Sequence, residues 1–391
     1  MHSYKYLIIG GGMTADAAVK GIREVDREGE IGLIGAESHP PYKRPPLSKK
    51  LWKGAPEDSI WLHTEDSGVS MLLGRVAVDL DAAARRVSDD RGDEYTYEKL
   101  LLATGGTPRK LLFTCEEITY YRYLDDYHKL RELCGQCNRF AVIGGGFIGS
   151  EIAAALAMNG RRVAMLFPEF GISERVFPRD LAEFLNRYYR EHGVEVLAAD
   201  VAMEMEERAG EYVLQTGSGK EIGADAVVAG IGIDPNTQLA EGARLKVENG
   251  VVVDELCCTS SPDVYAAGDV ASFCNPLLDK RIRVEHEDNA VTMGRYAGRS
   301  MAGQGEPYHY LPYFYSDLFD LGYEAVGELD PRLETVSDWK EPFREGVVYY
   351  LNEGRIRGVL LWNVWDKVPA ARELMAEPGP FAPENLKGRI A

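Results

Sequence analysis

The sequence predicts an α/β fold in which one strand–turn–helix–strand unit occurs twice, followed by a C-terminal α+β domain. The first unit reads Tyr6-Leu7-Ile8-Ile9, Gly10-Gly11-Gly12, a helix from Ala15 to Arg27 and a strand from Ile31 to Ile34. The same order returns at Phe140 to Ile143, Gly144-Gly145-Gly146, Phe147 to Met158 and Val163 to Phe167. From Tyr308 onward the composition changes. Aromatic residues crowd at Tyr308, Tyr310, Tyr313, Phe314 and Tyr315, and strands at Gly346 to Leu351 and Ile356 to Trp362 lead into a helix from Val368 to Met375.

Between the two units, Tyr42 to Pro56 reads as an ordered loop rich in Pro and Lys, and Val76 to Val87 and Tyr95 to Ala103 read as strands. Further strands follow the second unit at Val194 to Val201, Tyr212 to Thr216, Ala226 to Val228, Val251 to Val253 and Val264 to Ala266. A chain of 391 residues exceeds one ordinary core, so two or three domains are expected. Its 45% hydrophobic and 27% charged residues are the balance of a globular protein. No apolar run approaches the roughly 20 residues of a membrane span. The opening Met1-His2-Ser3-Tyr4-Lys5 lacks a signal-peptide core, which gives a cytoplasmic expectation. A net charge of −18 disfavours nucleic acid and anionic membrane as partners. Six cysteines, of which Cys257 and Cys258 are neighbours, make a poor disulfide framework and suit a reducing compartment.

The two Gly-rich turns carry the chemistry. In Gly10-x-Gly12-x-x-Ala15 and Gly144-x-Gly146-x-x-Gly149 the first Gly permits a tight turn and the second lets backbone approach a pyrophosphate. The small third residue lets helix and strand close up, and the helix N-terminus favours phosphate charge. One such turn serves equally well as a plain connector. Each here is followed by a strand ending near an acid, Glu37 and Glu169, at the spacing ribose recognition requires. Two complete matches predict two Rossmann-like dinucleotide-binding domains. Glu169 favours a ribose 2′-hydroxyl over a 2′-phosphate, hence NADH over NADPH, although Arg161, Arg162 and Arg175 are close in sequence.

Val264-Tyr265-Ala266-Ala267-Gly268-Asp269 is a strand ending in Gly-Asp, where the carboxylate either accepts a hydrogen bond from a flavin ribityl chain or caps a following helix. Cys134-Gly135-Gln136-Cys137 has redox-motif spacing, but it precedes the second unit and reads as solvent-facing turn cysteines. A zinc site would need two further ligands with no evident source, so no metal is expected.

Further motifs are Leu102-Ala103-Thr104-Gly105-Gly106-Thr107-Pro108, Ala229-Gly230-Ile231-Gly232 and Pro41-Tyr42-Lys43-Arg44-Pro45-Pro46-Leu47-Ser48-Lys49. With Val284-Glu285-His286, Tyr315-Ser316-Asp317-Leu318 and Gly322-Tyr323-Glu324-Ala325, they make the chain similar to the FAD-dependent pyridine nucleotide oxidoreductases of the ferredoxin reductase and apoptosis-inducing-factor type. The resemblance spans nearly the whole chain. It implies a glutathione-reductase-like architecture: a discontinuous FAD domain at 1–108 and 232–307, an NAD(H) domain at 109–231 and the C-terminal α+β domain at 308–391. It places Arg44 and Lys49 beside the flavin, Ala77 and Arg122 near FAD, and Asp269 on the ribityl chain. Thr104, Gly105, Gly268 and Tyr315 join the FAD side, and Phe147, Arg175 and Gly232 the NAD side. Lys49 is implied to pair with Glu151 near flavin N5, at the junction of the two nucleotide domains. Taken alone, Lys and Glu are commonly surface charges. Glu285-His286 opens a helix running to Ser300 whose positive end would face the flavin ring.

The resemblance therefore implies an FAD-dependent NADH oxidoreductase that moves hydride from NADH to flavin N5 and then reduces an acceptor such as ferredoxin, rubredoxin or a quinone. No cysteine precedes Cys115, which argues against disulfide reductase chemistry. The acid-free stretch Ser38 to Pro56, with Lys43, Arg44, Lys49, Lys50 and Lys53, is a candidate seat for an acidic ferredoxin, or simply a solvated loop. Tyr315 stands where the family commonly has Trp. The alternative is an NADH-responsive assembly module with slow turnover and a stable charge-transfer complex. A homodimer is left open.

Overall fold

The computed structural model describes residues 2–113 and 116–390. The chain forms two compact units, each assembled from separate segments. The first takes residues up to 44, 57–107 and 234–312; the second takes 45–56, 108–233 and 313 onward.

The first unit is built on a sheet whose parallel part runs in the order Val69–Leu73, Ile31–Gly35, His2–Ile9, Glu94–Leu102, with Val264–Ala266 also paired to Glu94–Leu102. Parallel strands covered on both faces need continuous apolar runs. Leu7-Ile8-Ile9 and Leu100-Leu101-Leu102 are such runs, all nearly inaccessible. The Gly-rich turn leads into the helix Met13–Val25, which lies against Glu287–Met301. Glycines permit that contact: a Cβ on Gly298 would strike the Ala18 carbonyl, and one on Gly294 the Thr14 carbonyl.

The expected single strand from Val76 to Val87 is instead a hairpin of Ala77–Asp81 and Arg86–Asp89. Asp81 Oδ1 accepts the Ala84 N–H at 2.9 Å and Arg85 turns to φ 53°, reversing the chain within the expected strand.

In the second unit the parallel sheet has the order Val194–Ala198, Arg162–Phe167, Arg139–Ile143, Ala226–Ala229, Thr119–Tyr120. Its Gly-rich turn opens the helix Phe147–Met158. The helices Leu124–Gln136 and Arg179–Glu191 were not anticipated. The C-terminal segment is an antiparallel sheet ordered Tyr313–Leu318, Leu321–Gly327, Arg355–Trp362, Glu345–Asn352, Glu334–Glu341, followed by the helix Val368–Ala376.

Leu124–Gln136 also corrects the reading of the cysteine pair. Cys134 is buried on its last turn, and Cys137 is the half-buried residue that ends it, so neither is a solvent-facing turn cysteine. Burial pushes the Cys137 thiol up, the reverse of activation. Cys115 lies outside the described residues. Among the described residues no helix is long and apolar enough to cross a membrane.

Candidate functional site

In the first unit the turn at Gly10 has a backbone only glycine adopts readily. Its φ is +132°, and a Cβ there would collide with the Ala103 carbonyl. Gly12 precedes the helix, with no side-chain cap and only Arg44 Nη2, at 3.9 Å, near where its Cβ would stand. The first helical N–H groups therefore border an open cradle suited to a pyrophosphate. Ala15 is fully buried, as close packing of helix on strand demands.

Glu37, expected at a ribose, accepts Arg44 Nη2 on Oε1 and the Tyr42 hydroxyl on Oε2, both at 2.5 Å. Arg44 Nη1 also donates to the Tyr42 oxygen at 3.2 Å. Thr104 and Asn236 clasp each other: Thr104 Oγ1 donates to the Asn236 carbonyl and Asn236 Nδ2 to the Thr104 carbonyl, each at 2.8 Å. Gly105 follows at φ +62°, and Ala77 is the first, half-buried residue of its strand.

Gly268 has φ +76° and backs onto the first helix, where a Cβ would collide with Thr14. This brings Asp269 to the same Gly-rich turn. Asp269 sits inside the short 3-10 turn Gly268–Val270, which runs on into the strand Ala271–Asn275, so its alternative role as a helix cap falls away. Arg283, almost enclosed, pins this corner. It donates to the Asp269 carbonyl at 3.1 Å and to Asn249 Oδ1 at 3.2 Å, and pairs with Glu285 at 2.7 Å. The following helix begins at Glu287 with His286 as its N-cap, slightly later than expected.

The second unit repeats the turn. Gly144 has φ +120° with its Cβ direction blocked by the Gly230 carbonyl, and a Cβ on Gly149 would strike the Gly144 carbonyl. Gly146 faces open space and precedes the helix. Glu169 Oε1 accepts Arg175 Nε at 2.6 Å, while the Arg175 side chain is 75% exposed. Gly232 takes φ +98°, and its carbonyl accepts the Arg109 N–H at 2.9 Å.

Also within this unit, Lys49 Nζ meets Glu151 Oε1 at 2.8 Å, with side chains 10% and 3% exposed. The pair is thus no surface contact. Ser48 Oγ donates to Glu151 Oε2 and Ser316 Oγ to Oε1, both at 2.5 Å. Lys49 lies 5.3 Å from the centre of the Tyr315 ring, and Phe147 packs on Phe314 at 5.2 Å. The loop bearing Ser48 and Lys49 consists of the 3-10 turns Pro45–Ser48 and Lys50–Lys53. It is fastened at the Leu47 carbonyl, which accepts Trp52 Nε1 at 2.8 Å and the Tyr121 hydroxyl at 2.5 Å. Burial pushes the Tyr121 phenol far up, so it remains a neutral donor. Next in sequence, the Arg122 N–H donates to Asp126 Oδ2 at 2.9 Å at the start of Leu124–Gln136.

These pairings remove most of the expected basic stretch. Arg44 is matched by Glu37, Lys49 by Glu151 and Lys53 by Asp317 at 3.4 Å, while Lys43 and Lys50 are exposed. The sequence reading missed Tyr42, Ser48, Trp52, Tyr121, Asn236, Arg283 and Ser316. Of these, Tyr42, Ser48, Trp52 and Ser316 stood in segments already marked.

Residues 4–294 match the family model of pyridine nucleotide-disulphide oxidoreductases, and residues 297–342 and 337–377 match the mitochondrion-associated C-terminal region of apoptosis-inducing factor. The chain is 33% identical to apoptosis-inducing factor 1 of Dictyostelium discoideum, over 96% of its own length and 79% of that protein's. It is 36% identical to the ferredoxin reductase subunit of a Sphingobium 5,5′-dehydrodivanillate O-demethylase, over 91% and 89%. The fold superposes on the reductase in a covalent putidaredoxin reductase–putidaredoxin complex with a TM-score of 0.91 at 28% identity, covering 98% of this chain and 95% of that one. Two glycine cradles, each closed to a Cβ at its first glycine and open at its second, fit two dinucleotides. The chain belongs to the pyridine nucleotide-disulphide oxidoreductase family, with FAD and NAD(H) as its cofactors.

Proposed function

We propose that this FAD-dependent NADH oxidoreductase delivers its electrons one at a time to a ferredoxin-type iron–sulfur protein. The observation that carries the reading is the likeness, over nine-tenths of the chain, to a ferredoxin reductase subunit. The likeness to a reductase captured with putidaredoxin supports it. FAD held there would supply the chemistry, as a hydride acceptor towards NADH and a one-electron donor towards the iron–sulfur protein.

The chain's own residues bind, orient and set charge. Gly10 and Gly12 would admit the FAD pyrophosphate, Glu37 would meet the ribose, Arg44 would lie beside the flavin, and Asp269, braced by Arg283, would hold the ribityl chain. Ala77, Arg122, Thr104, Gly105, Gly268, Glu285, His286 and Tyr315 complete the FAD side. Gly144, Gly146, Phe147, Gly149, Gly232 and Arg175 serve NADH, and Glu169 selects its 2′-hydroxyl. Lys49, held by Glu151, supplies the positive charge that favours hydride arrival. On this reading the FAD domain comprises 1–108 and 232–307, the NAD(H) domain 109–231 and the C-terminal domain 308–391. The location we assign is the cytoplasm, since neighbouring Cys257 and Cys258 are free thiols.

The test is anaerobic stopped-flow reduction by NADH followed by mixing with ferredoxin, rubredoxin or quinone. Rapid reoxidation by ferredoxin is the expected result. Preference for quinone or rubredoxin would change the acceptor. A reduced, NAD⁺-bound form ignored by all three, with a shift in association state, would favour the assembly-module reading suggested by the C-terminal match.

A further inference from the structure

The first strand of the C-terminal sheet runs beside the second Gly-rich helix in matched step. Phe314 meets Phe147, and two residues further along the strand Ser316 meets Glu151, four residues further along the helix. Two strand residues rise about 6.7 Å and four helix residues about 6 Å, so the two contacts recur at nearly the same spacing. Within Tyr313–Leu318, Ser316 and Leu318 are the buried positions, each 1% exposed. Apolar side chains would ordinarily fill such a face.

The hydroxyl at 316 has a specific partner. Glu151 receives Ser316 and Lys49 on one oxygen and Ser48 on the other. A carboxylate enclosed to 3% depends on such donors, because solvent cannot replace them. Ser48 and Lys49 belong to one loop, so they move together. Ser316 is the donor from a different part of the chain, 165 residues from Glu151. Ser316 stands opposite Tyr323 on the neighbouring strand, and burial, with nearby Glu151 adding, pushes that phenol well above its ordinary range.

We propose that Ser316 is a positioning residue for hydride transfer, which fixes the Glu151 carboxylate so that Lys49 is held in one place. The inference rests on the reading of Lys49 and Glu151 given above. It makes the C-terminal sheet part of the redox machinery, through one hydroxyl.

The test uses holoenzyme carrying Ser316→Val, Ser316→Thr, Lys49→Met or the pair Lys49→Met with Ser316→Val. Limiting flavin reduction rate and NADH Kd are measured by anaerobic stopped flow. Ser316→Val is expected to lower the limiting rate about tenfold, roughly 1.4 kcal/mol, with NADH Kd changed less than about twofold. Ser316→Thr, isosteric with Val but bearing a hydroxyl, restores the rate to within about threefold of the parent. In the Lys49→Met background Ser316→Val has no further effect, because the serine acts through that lysine. Wild-type speed in Ser316→Val, a Thr variant as slow as Val, or an undiminished loss in the Lys49→Met background would each overturn the proposal. If Lys49→Met is slow while Ser316→Val is not, the proposal alone falls. If Lys49→Met reduces at the parental rate, the reading of the pair falls and takes the proposal with it. Should Ser316→Val fail to fold, Ser48→Ala removes the donor on the other oxygen, and the same loss, abolished by Lys49→Met, is required.

Discussion

Arg44 reaches Glu37 with Nη2 at 2.5 Å from Oε1, and the same guanidinium is the polar group nearest the open side of Gly12. One side chain thus touches both features that the sequence marks for the first dinucleotide. Arg44→Met is expected to weaken FAD binding about tenfold, equivalent to ~1.4 kcal/mol. Flavin fluorescence during reconstitution measures it; unchanged retention of FAD would remove Arg44 from the site.

Gly144 and Gly146 are predicted to fail differently. Alanine at 144 meets the Gly230 carbonyl at a φ of +120°, so Gly144→Ala should give little folded protein. Alanine at 146 meets nothing of the protein, so Gly146→Ala should fold normally yet raise the NADH KM by about tenfold or more, the side chain occupying phosphate space. Thermal melting and steady-state kinetics separate the two. Equal melting losses would contradict the assignment of the second glycine to the pyrophosphate.

Glu169, paired with the exposed Arg175, is predicted to set the nucleotide preference. Glu169→Gln removes the charge that repels a 2′-phosphate and leaves Arg175 to meet it. The ratio of kcat/KM for NADH to that for NADPH should fall about tenfold. Restoring the parental ratio through Arg175→Ala in that variant would identify the arginine as the phosphate contact; no change in either variant would place the selection elsewhere.

Tyr121→Phe removes one of two donors to the Leu47 carbonyl and should cost about 1 kcal/mol, with Trp52 Nε1 retaining the other. Combined with a non-donating replacement of Trp52, the loss should exceed the sum of the single changes, because the carbonyl is then buried without a donor. Chemical denaturation of the single and double variants decides this. Strict additivity would mean that the carbonyl finds another partner.

Asp89 offers a pH prediction. Burial would raise its pKa, but Arg75, the Tyr95 hydroxyl and the Asp93 and Arg91 amides more than offset that and hold it below the carboxylate range. A depressed folded value contributes stability that is complete above the unfolded pKa of about 3.9 and is lost as pH falls through the folded one. Melting temperature should therefore decline below about pH 4. Asp89→Asn should lose about 2 kcal/mol at neutral pH and show a shallower acid decline. A parallel decline in both proteins would assign the acid sensitivity to other carboxylates.

The two Gly-rich turns were legible because backbone geometry dictates the residue type: at Gly10 and Gly144 no side chain fits, whatever else the chain does. Asp269 was legible as a residue but not in its surroundings, since the strand Ala271–Asn275 that follows the short turn Gly268–Val270 is fixed by its pairing with Val251–Val252 and Lys280–Ile282. Arg179–Glu191 did carry a readable signal, with Leu181, Leu185, Tyr188 and Tyr189 buried along one face, and it passed unread. Ser316 stood in a marked motif, but neither its role nor that of Asn236 was legible. Their partners stand 165 and 132 residues away, and a buried polar residue is recognised only by what it meets.

Each unit collects three stretches of chain, so the polypeptide passes from one to the other five times. Helix Met13–Val25 emerges early in synthesis, yet the helix it packs against ends at Met301, and the strand Val264–Ala266 that pairs with Glu94–Leu102 arrives almost as late. An emerging chain must therefore carry an incomplete apolar sheet until the residues up to Met301 have been made. Neither half can be obtained by cutting the gene once, and chaperone demand during translation should be set by that wait.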